Sequence, residues 1–194
     1  MYGLMGAHRT GKSTLCQALL YVGRGYFWEK EISISKMQRD MNYDSSNQEY
    51  DWETRKDIQS GLLYAFKNIL ERPQVTRQVI HKVLTERTPL DLIGYLVLNM
   101  PDKPTDEDRA WVDTYIRMCI ALTNKHYTKV FLVQPGIAYV ECETSAKEES
   151  IEMLNSIYLH LLLDPKLTID RVIIPQEMTD LRERVVFVME NINA

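Results

Sequence analysis

Gly6-Ala7-His8-Arg9-Thr10-Gly11-Lys12-Ser13 fits G-x-x-x-x-G-K-[ST], the spacing of a phosphate-binding loop. Tyr2-Gly3-Leu4-Met5 ahead of it is a short run suited to a buried strand. Ser13 to Tyr21 behind it keeps Leu15, Ala18, Leu19 and Tyr21 at helical spacing. Strand, glycine-bounded loop and helix therefore come in the order that phosphate binding needs. Backbone N–H groups of residues 8 to 13 can close around a β-phosphate, and the helix N-terminus adds its positive dipole. The stretch predicts a nucleoside triphosphate site formed by Gly6, His8, Arg9, Thr10, Gly11, Lys12, Ser13 and Thr14. In it Lys12 would reach the β- and γ-phosphates, and the Ser13 hydroxyl would hold Mg²⁺.

The bulk properties narrow the class. A chain of 194 residues with 45% hydrophobic and 26% charged content predicts one compact domain, residues 1–194, with a real core. A net charge of −4 argues against a large nucleic-acid footprint, which needs a basic face. Cys16, Cys119 and Cys142 are widely spaced and match no metal or redox motif, so free thiols in a reducing compartment are expected. The first strand starts at residue 1 or 2, leaving no room for a signal peptide, and no apolar run approaches the roughly 20 residues that span a bilayer. The expectation is a cytoplasmic protein without membrane contact.

Residues 26–35 read as a second strand running into a helix, and 36–52 as a polar loop on the substrate side. Asp51 can cap a helix whose apolar positions run from Ile58 to Leu70 and which Arg72-Pro73 ends. Gln78 to Leu84 reads as a strand, and Leu90 to Leu98 as a helix with Pro89 in its first turn. Thr105-Asp106-Glu107-Asp108 opens another helix, and Lys129 to Val133 is the clearest buried strand. Residues 136–148 read as a lid segment, and Ser145-Ala146-Lys147-Glu148 as the capping box of a helix reaching Leu163. Arg171 to Ile174 is a further strand, followed by a helix over 179–191. Strands alternating with helices predict a mostly parallel five-stranded sheet between helical layers, an α/β/α sandwich. The phosphate loop, Glu86-Arg87-Thr88 and Gln134-Pro135-Gly136 all follow strands, so they should converge at one sheet end.

Glu86 follows an apolar strand where a carboxylate can orient a metal's water or take a proton from an attacking hydroxyl. Arg87 could hold an anionic substrate group through its planar fork. Gly6 to Leu15 together with Leu84-Thr85-Glu86-Arg87-Thr88-Pro89-Leu90-Asp91-Leu92 resembles the AAA-type P-loop kinase-like domains that include ribosylnicotinamide kinase. It also resembles deoxynucleoside and deoxynucleoside-monophosphate kinases, whose strand-end motif is an acidic residue, Arg, then Ser or Thr. Small phage-encoded deoxynucleotide kinases are nearest in overall character. The resemblance implies ATP and Mg²⁺ as cofactors and phosphoryl transfer to a small nucleotide acceptor, most simply a deoxynucleoside monophosphate. By it Lys12, Glu86 and Arg87 are catalytic, Ser13 and Glu86 serve the metal, and Arg87 faces the acceptor. One departure stands out. Such kinases carry lid arginines, whereas residues 136–150 hold only Lys147, leaving Lys147, Arg9, Arg109, Arg171 or Arg182 to meet the charge of the moving phosphoryl.

Arg55 and Gln59 are spaced i, i+4 and share a helix face, so an Arg for a phosphate and a Gln for a base edge suit an acceptor pocket. Tyr26, Phe27, Tyr50 and Trp52 could supply its stacking wall or could be packing. Rival readings are a nucleoside kinase, a kinase of modified bases in DNA, a non-catalytic nucleotide-binding module, and a Ras-like GTPase. The last would use Asp91-Leu92-Ile93-Gly94, Asn124-Lys125-His126-Tyr127 and Ser145-Ala146-Lys147, although Tyr127 stands where guanine recognition needs an Asp. The sequence leaves homodimer formation open.

Overall fold

The computed structural model describes residues 1–24, 26–43, 50–73, 82–137 and 147–193. Five strands form one sheet: β1 (Tyr2–Met5), β2 (Phe27–Glu29), β3 (Lys82–Thr85), β4 (Lys129–Val133) and β5 (Asp170–Ile174). Their order is β2-β3-β1-β4-β5, and every pairing is parallel. Parallel neighbours need crossovers, and helices supply them: α1 (Lys12–Val22), α2 (Ile34–Asp40), α3 (Trp52–Glu71), α4 (Pro89–Leu98), α5 (Asp106–His126), α6 (Glu148–Leu162) and α7 (Leu181–Asn193).

Alternation along β4 builds both cores. Phe131 and Val133 join Leu4, Leu15, Leu19, Val185 and Val188 beneath α1 and α7. Val130 and Leu132 face the other way, into a larger core with Phe66, Leu92, Ile93, Tyr115 and Tyr158 from α3 to α6. Residues 130–133 are wholly inaccessible to solvent, as expected of a strand covered on both faces. Helix α4 packs against α3, α5 and α6, which explains why apolar residues cover nearly its whole circumference. The result is the three-layer α/β/α P-loop NTPase architecture with a five-stranded parallel sheet.

Several boundaries differ from expectation. Part of the expected 36–52 loop is helix α2, capped by the Ser33 side chain and buried through Met37; seven residues give too few turns for a visible period. Helix α6 runs from Glu148 with Lys147 as its N-cap, and Ser145 and Ala146 of the expected capping box lie outside the described residues. Asp180, not Thr179, starts α7: its Oδ1 accepts from the N–H groups of Arg182 and Glu183. The expected lid over 136–148, Cys142, and the first half of the strand expected at Gln78 lie largely outside the described residues. No helix among the described residues is long and apolar enough to cross a membrane.

Candidate active site

The ends of β1, β2, β3 and β4 meet at one edge of the sheet, and the loop after β1 lies between the others. Its backbone needs unusual angles: Gly6 has φ +142° and Gly11 φ +83°, and Arg9 adopts φ 59°. A Cβ on Gly6 would lie 2.5 Å from the Val133 carbonyl oxygen, so only glycine lets the loop pass so close to β4. Lys12 is buried, and its ammonium donates to the Ala7 carbonyl and to Thr10 Oγ1. Burial, reinforced by the nearby Arg87 charge and opposed by Asp91 and Glu86, pushes this ammonium down to about 7.

The turn after β3 reaches the same place. Ser13 Oγ donates to Glu86 Oε1 across 2.6 Å. Asp91, in the first turn of α4, is fully buried and ties three segments together: its carboxylate accepts from Gly6 N (3.2 Å), Thr88 N (2.8 Å) and Thr88 Oγ1 (3.0 Å). Arg87 Nη1 lies 3.6 Å from Asp91 Oδ1. Burial pushes the Asp91 carboxyl up, while Arg87 and Lys12 pull it back. Asp91 thus anchors the first loop glycine to the Glu86-Arg87-Thr88 turn. Its sequence signal was the Thr88-x-x-Asp91 spacing of a capping box, which also shows why a GTPase-type Asp-x-x-Gly is not formed: this aspartate is committed to the helix start. Asn124 likewise bonds Lys166 O and Thr168 N, ahead of β5 and at the opposite end of the sheet.

Beside this junction lies a cavity of about 690 Å³. Glu86, Arg87 and His8 form its inner wall; Arg55, Gln59 and Trp52 come from α3, Tyr95 and Asn99 from α4, and Glu29 and Glu31 from the end of β2. Arg55 Nε donates to the Tyr50 carbonyl (3.0 Å) and Nη1 to Asn99 Oδ1 (3.2 Å), while Gln59 Oε1 accepts from the Tyr115 hydroxyl (3.0 Å). Two polar atoms in the wall, Arg87 Nη1 and the Tyr95 hydroxyl, are buried without a hydrogen-bond partner among the described residues. Burial, with Glu86 and Glu31 close by, raises the Glu29 carboxyl. His8 is driven down to about 4 by desolvation and the charges of Arg87 and Lys12, so it is neutral at physiological pH.

The expected aromatic wall is only partly present. Trp52 lines the cavity, and the Tyr50 ring packs on Tyr43, which also lines it. Phe27 is instead core beneath α1, and Tyr26 bonds Asn193 and sits under Lys82. Strand alternation decides this, because Phe27 faces inward from β2. Sequence reasoning missed Glu29, Glu31, Tyr43, Tyr95 and Asp91. The first two were hidden in the charged run Glu29-Lys30-Glu31 after a three-residue strand.

The candidates for the missing lid charge also separate. Arg109 pairs with Asp106 at the start of α5, and Arg171 bonds Leu162 O at the entry end of β5, far from the loop. Arg182 is exposed at the start of α7 and Lys147 is exposed at the start of α6. Arg9 belongs to the loop itself. Among the described residues, Arg184 reaches the loop from elsewhere: its Nη1 donates to the Thr10 carbonyl at 2.7 Å.

Ser13 Oγ and Glu86 Oε1 are hard oxygen donors at a helix N-terminus, the ligand type magnesium takes with phosphate oxygens and water, so the residues fit that ion.

No protein-family model matches the chain, and no curated protein matches it in sequence. Solved structures do match in fold. The deoxyadenosine kinase of M. mycoides with products dCMP and a flexible dCDP bound superposes with a TM-score of 0.63 at 16% identity, over 99% of this chain and 98% of that one. The same enzyme with bound dCTP and with bound dATP gives TM-scores of 0.62, also at 16% identity. At that identity the likeness establishes the architecture.

Proposed function

We propose that this chain, acting as a single domain over 1–194, transfers the γ-phosphoryl group of ATP to a hydroxyl of a nucleoside. The observation that carries the reading is Glu86, which touches the Ser13 hydroxyl of the phosphate loop and lines the adjoining cavity. A phosphate donor and an acceptor would meet at that carboxylate. Bound magnesium, held by Ser13 and Glu86 with phosphate oxygens, would supply charge neutralisation on the phosphates.

Lys12 releases its loop oxygens and turns its ammonium to the β- and γ-phosphates. Glu29, raised by burial and by neighbouring carboxylates, takes the proton of the acceptor hydroxyl. The hydroxyl oxygen forms the new bond to Pγ as the bond to the β–γ bridging oxygen breaks, and ADP leaves. Arg87 and Tyr95 offer donors to the polar edge of the acceptor, and Arg55, Gln59 and Trp52 frame its base.

Charge chooses the nucleoside over its monophosphate. The described cavity wall carries the carboxylates Glu29, Glu31 and Glu86 against the guanidinium groups of Arg55 and Arg87, with His8 neutral. Arg87 already faces the buried Asp91. A dianionic acceptor would enter a net negative site, which costs more than entry of an uncharged one. Calorimetry with a non-hydrolysable ATP analogue and Mg²⁺ present tests this: each nucleoside should bind more tightly than its 5′-monophosphate. Tighter monophosphate binding would return the acceptor to the deoxynucleoside monophosphate that the sequence resemblance implies.

A further inference from the structure

We infer that Arg184 is a positioning residue for the triphosphate, holding the Thr10–Gly11 peptide from behind so that the Gly11 N–H faces the docked phosphates. The inference rests on the phosphate-binding half of the proposed function and is independent of the acceptor.

Arg184 lies in the first turn of α7, 174 residues from Thr10 in the chain. Its side chain runs inward and is only 2% exposed. Nε donates to the Met178 carbonyl at 2.5 Å, and Nη1 to the Thr10 carbonyl at 2.7 Å. Nη2 is buried and has no partner among the described residues; it lies 3.3 Å from where a Cβ on Gly136 would stand, between the phosphate loop and the chain leaving β4. Among the described residues no carboxylate is in ion-pair reach of this guanidinium. Burial alone lowers its affinity for the proton.

A buried cation with two carbonyl acceptors and, among the described residues, no counter-charge is costly in the free protein. The cost falls when an anion docks nearby, and the loop built for one is in direct contact. Peptide geometry states how the two communicate. The Thr10 carbonyl and the Gly11 N–H belong to one planar trans unit, and in such a unit they point in opposite directions. With the oxygen turned to Arg184, the N–H points away from α7, toward the phosphate side. A charged donor on the oxygen also polarises the unit and strengthens the N–H as a donor. Gly11 takes φ +83°, which a side chain disfavours, and the Arg184 bond holds the carbonyl of the peptide that precedes it.

The test uses inorganic tripolyphosphate with Mg²⁺ as the probe, because it carries the phosphates without base or sugar. Arg184→Met keeps the length and removes the charge and fork. Its tripolyphosphate and ATP dissociation constants should rise by at least about tenfold, the worth of one charge-assisted hydrogen bond. The thermal shift on adding the probe should shrink accordingly, while acceptor binding stays within about twofold. Arg184→Lys, which keeps charge and one donor, should lie between, weakened at least about threefold. A purely structural role would lower the melting temperature and leave both dissociation constants unchanged, which overturns the inference. If the Met variant does not fold, a folded Lys variant with wild-type tripolyphosphate affinity overturns it equally. Wild-type protein that binds neither tripolyphosphate nor ATP would defeat the phosphate-site reading itself.

Discussion

The Ser13 hydroxyl and Glu86 Oε1, 73 residues apart in the chain, lie 2.6 Å from one another where the ends of β1 and β3 meet. In the proposed reaction the contact divides the labour among the acidic groups. A carboxylate bonded to the serine at the start of α1 would serve a metal on the phosphates. Glu29, which lines the same cavity, would be left for the acceptor's proton. Asp91 beneath them holds both the loop and the turn.

Two glutamine substitutions separate these roles. Glu86→Gln should lower turnover about 10²- to 10⁴-fold with little change in ATP affinity, and raising Mg²⁺ should recover part of the loss. Glu29→Gln should lose turnover on a similar scale with no recovery at any Mg²⁺. Initial rates across a magnesium series read the difference, and identical magnesium curves for the two variants contradict the division.

Lys12→Ala should abolish transfer and weaken ATP binding, because in the proposed reaction the ammonium now held by Ala7 O and Thr10 Oγ1 would turn to the β- and γ-phosphates. Calorimetry and a coupled ADP assay measure both effects. A folded variant with wild-type turnover would refute the assignment.

Arg55→Ala and Gln59→Ala should each raise the acceptor's KM several-fold more than ATP's, since both side chains line the cavity beyond Glu86. Arg55 also ties α3 to α4 through Asn99, so its effect should be the larger. Equal effects on the two substrates would remove these residues from the acceptor pocket.

Asp108 provides a pH-dependent stability test. Its carboxylate accepts from Thr105 Oγ1 (2.7 Å), Thr105 N (3.0 Å), Trp52 Nε1 (2.7 Å) and Lys56 Nζ (3.2 Å), and these bonds hold it well below its ordinary 3.8. Below that ordinary value the unfolded chain takes up a proton that the folded chain refuses, so stability rises with pH there. The contribution is present in full above about pH 5 and is lost as pH falls through 4 and lower. Asp108→Asn should therefore lower the melting temperature at pH 7 by more than at pH 3, as read by circular dichroism. A gap that is constant with pH would show that the charge carries nothing.

Much of this was legible in the sequence because the signals were local. The glycine-lysine spacing marks the loop, the apolar run 129–133 marks a doubly covered strand, and Asp51 and Thr105 with Asp108 mark helix starts that the structure caps as written. Arg55 and Gln59 could be paired from helical spacing alone. What could not be read was long-range or very short. Arg184 sits in the charged run Arg182-Glu183-Arg184, where nothing distinguishes the inward-facing member until α7 folds back against α1. Glu29 ends a strand of three residues, too short for a period to show which way that end points. Tyr26 and Phe27 look like a stacking wall in sequence, and the inward face of β2 and the packing beside Lys82 use them instead.

In the proposed function the phosphate loop and the cavity serve one transfer reaction, from ATP to an uncharged acceptor. Incubation of the purified protein with ATP and Mg²⁺ against each nucleoside and each nucleoside 5′-monophosphate, with products read by mass, tests it most directly. One or more nucleosides should gain a single phosphoryl group, with ADP formed in equal amount and monophosphates left unchanged. Diphosphates made from monophosphates alone, or ADP released with no phosphorylated acceptor in any reaction, would contradict it.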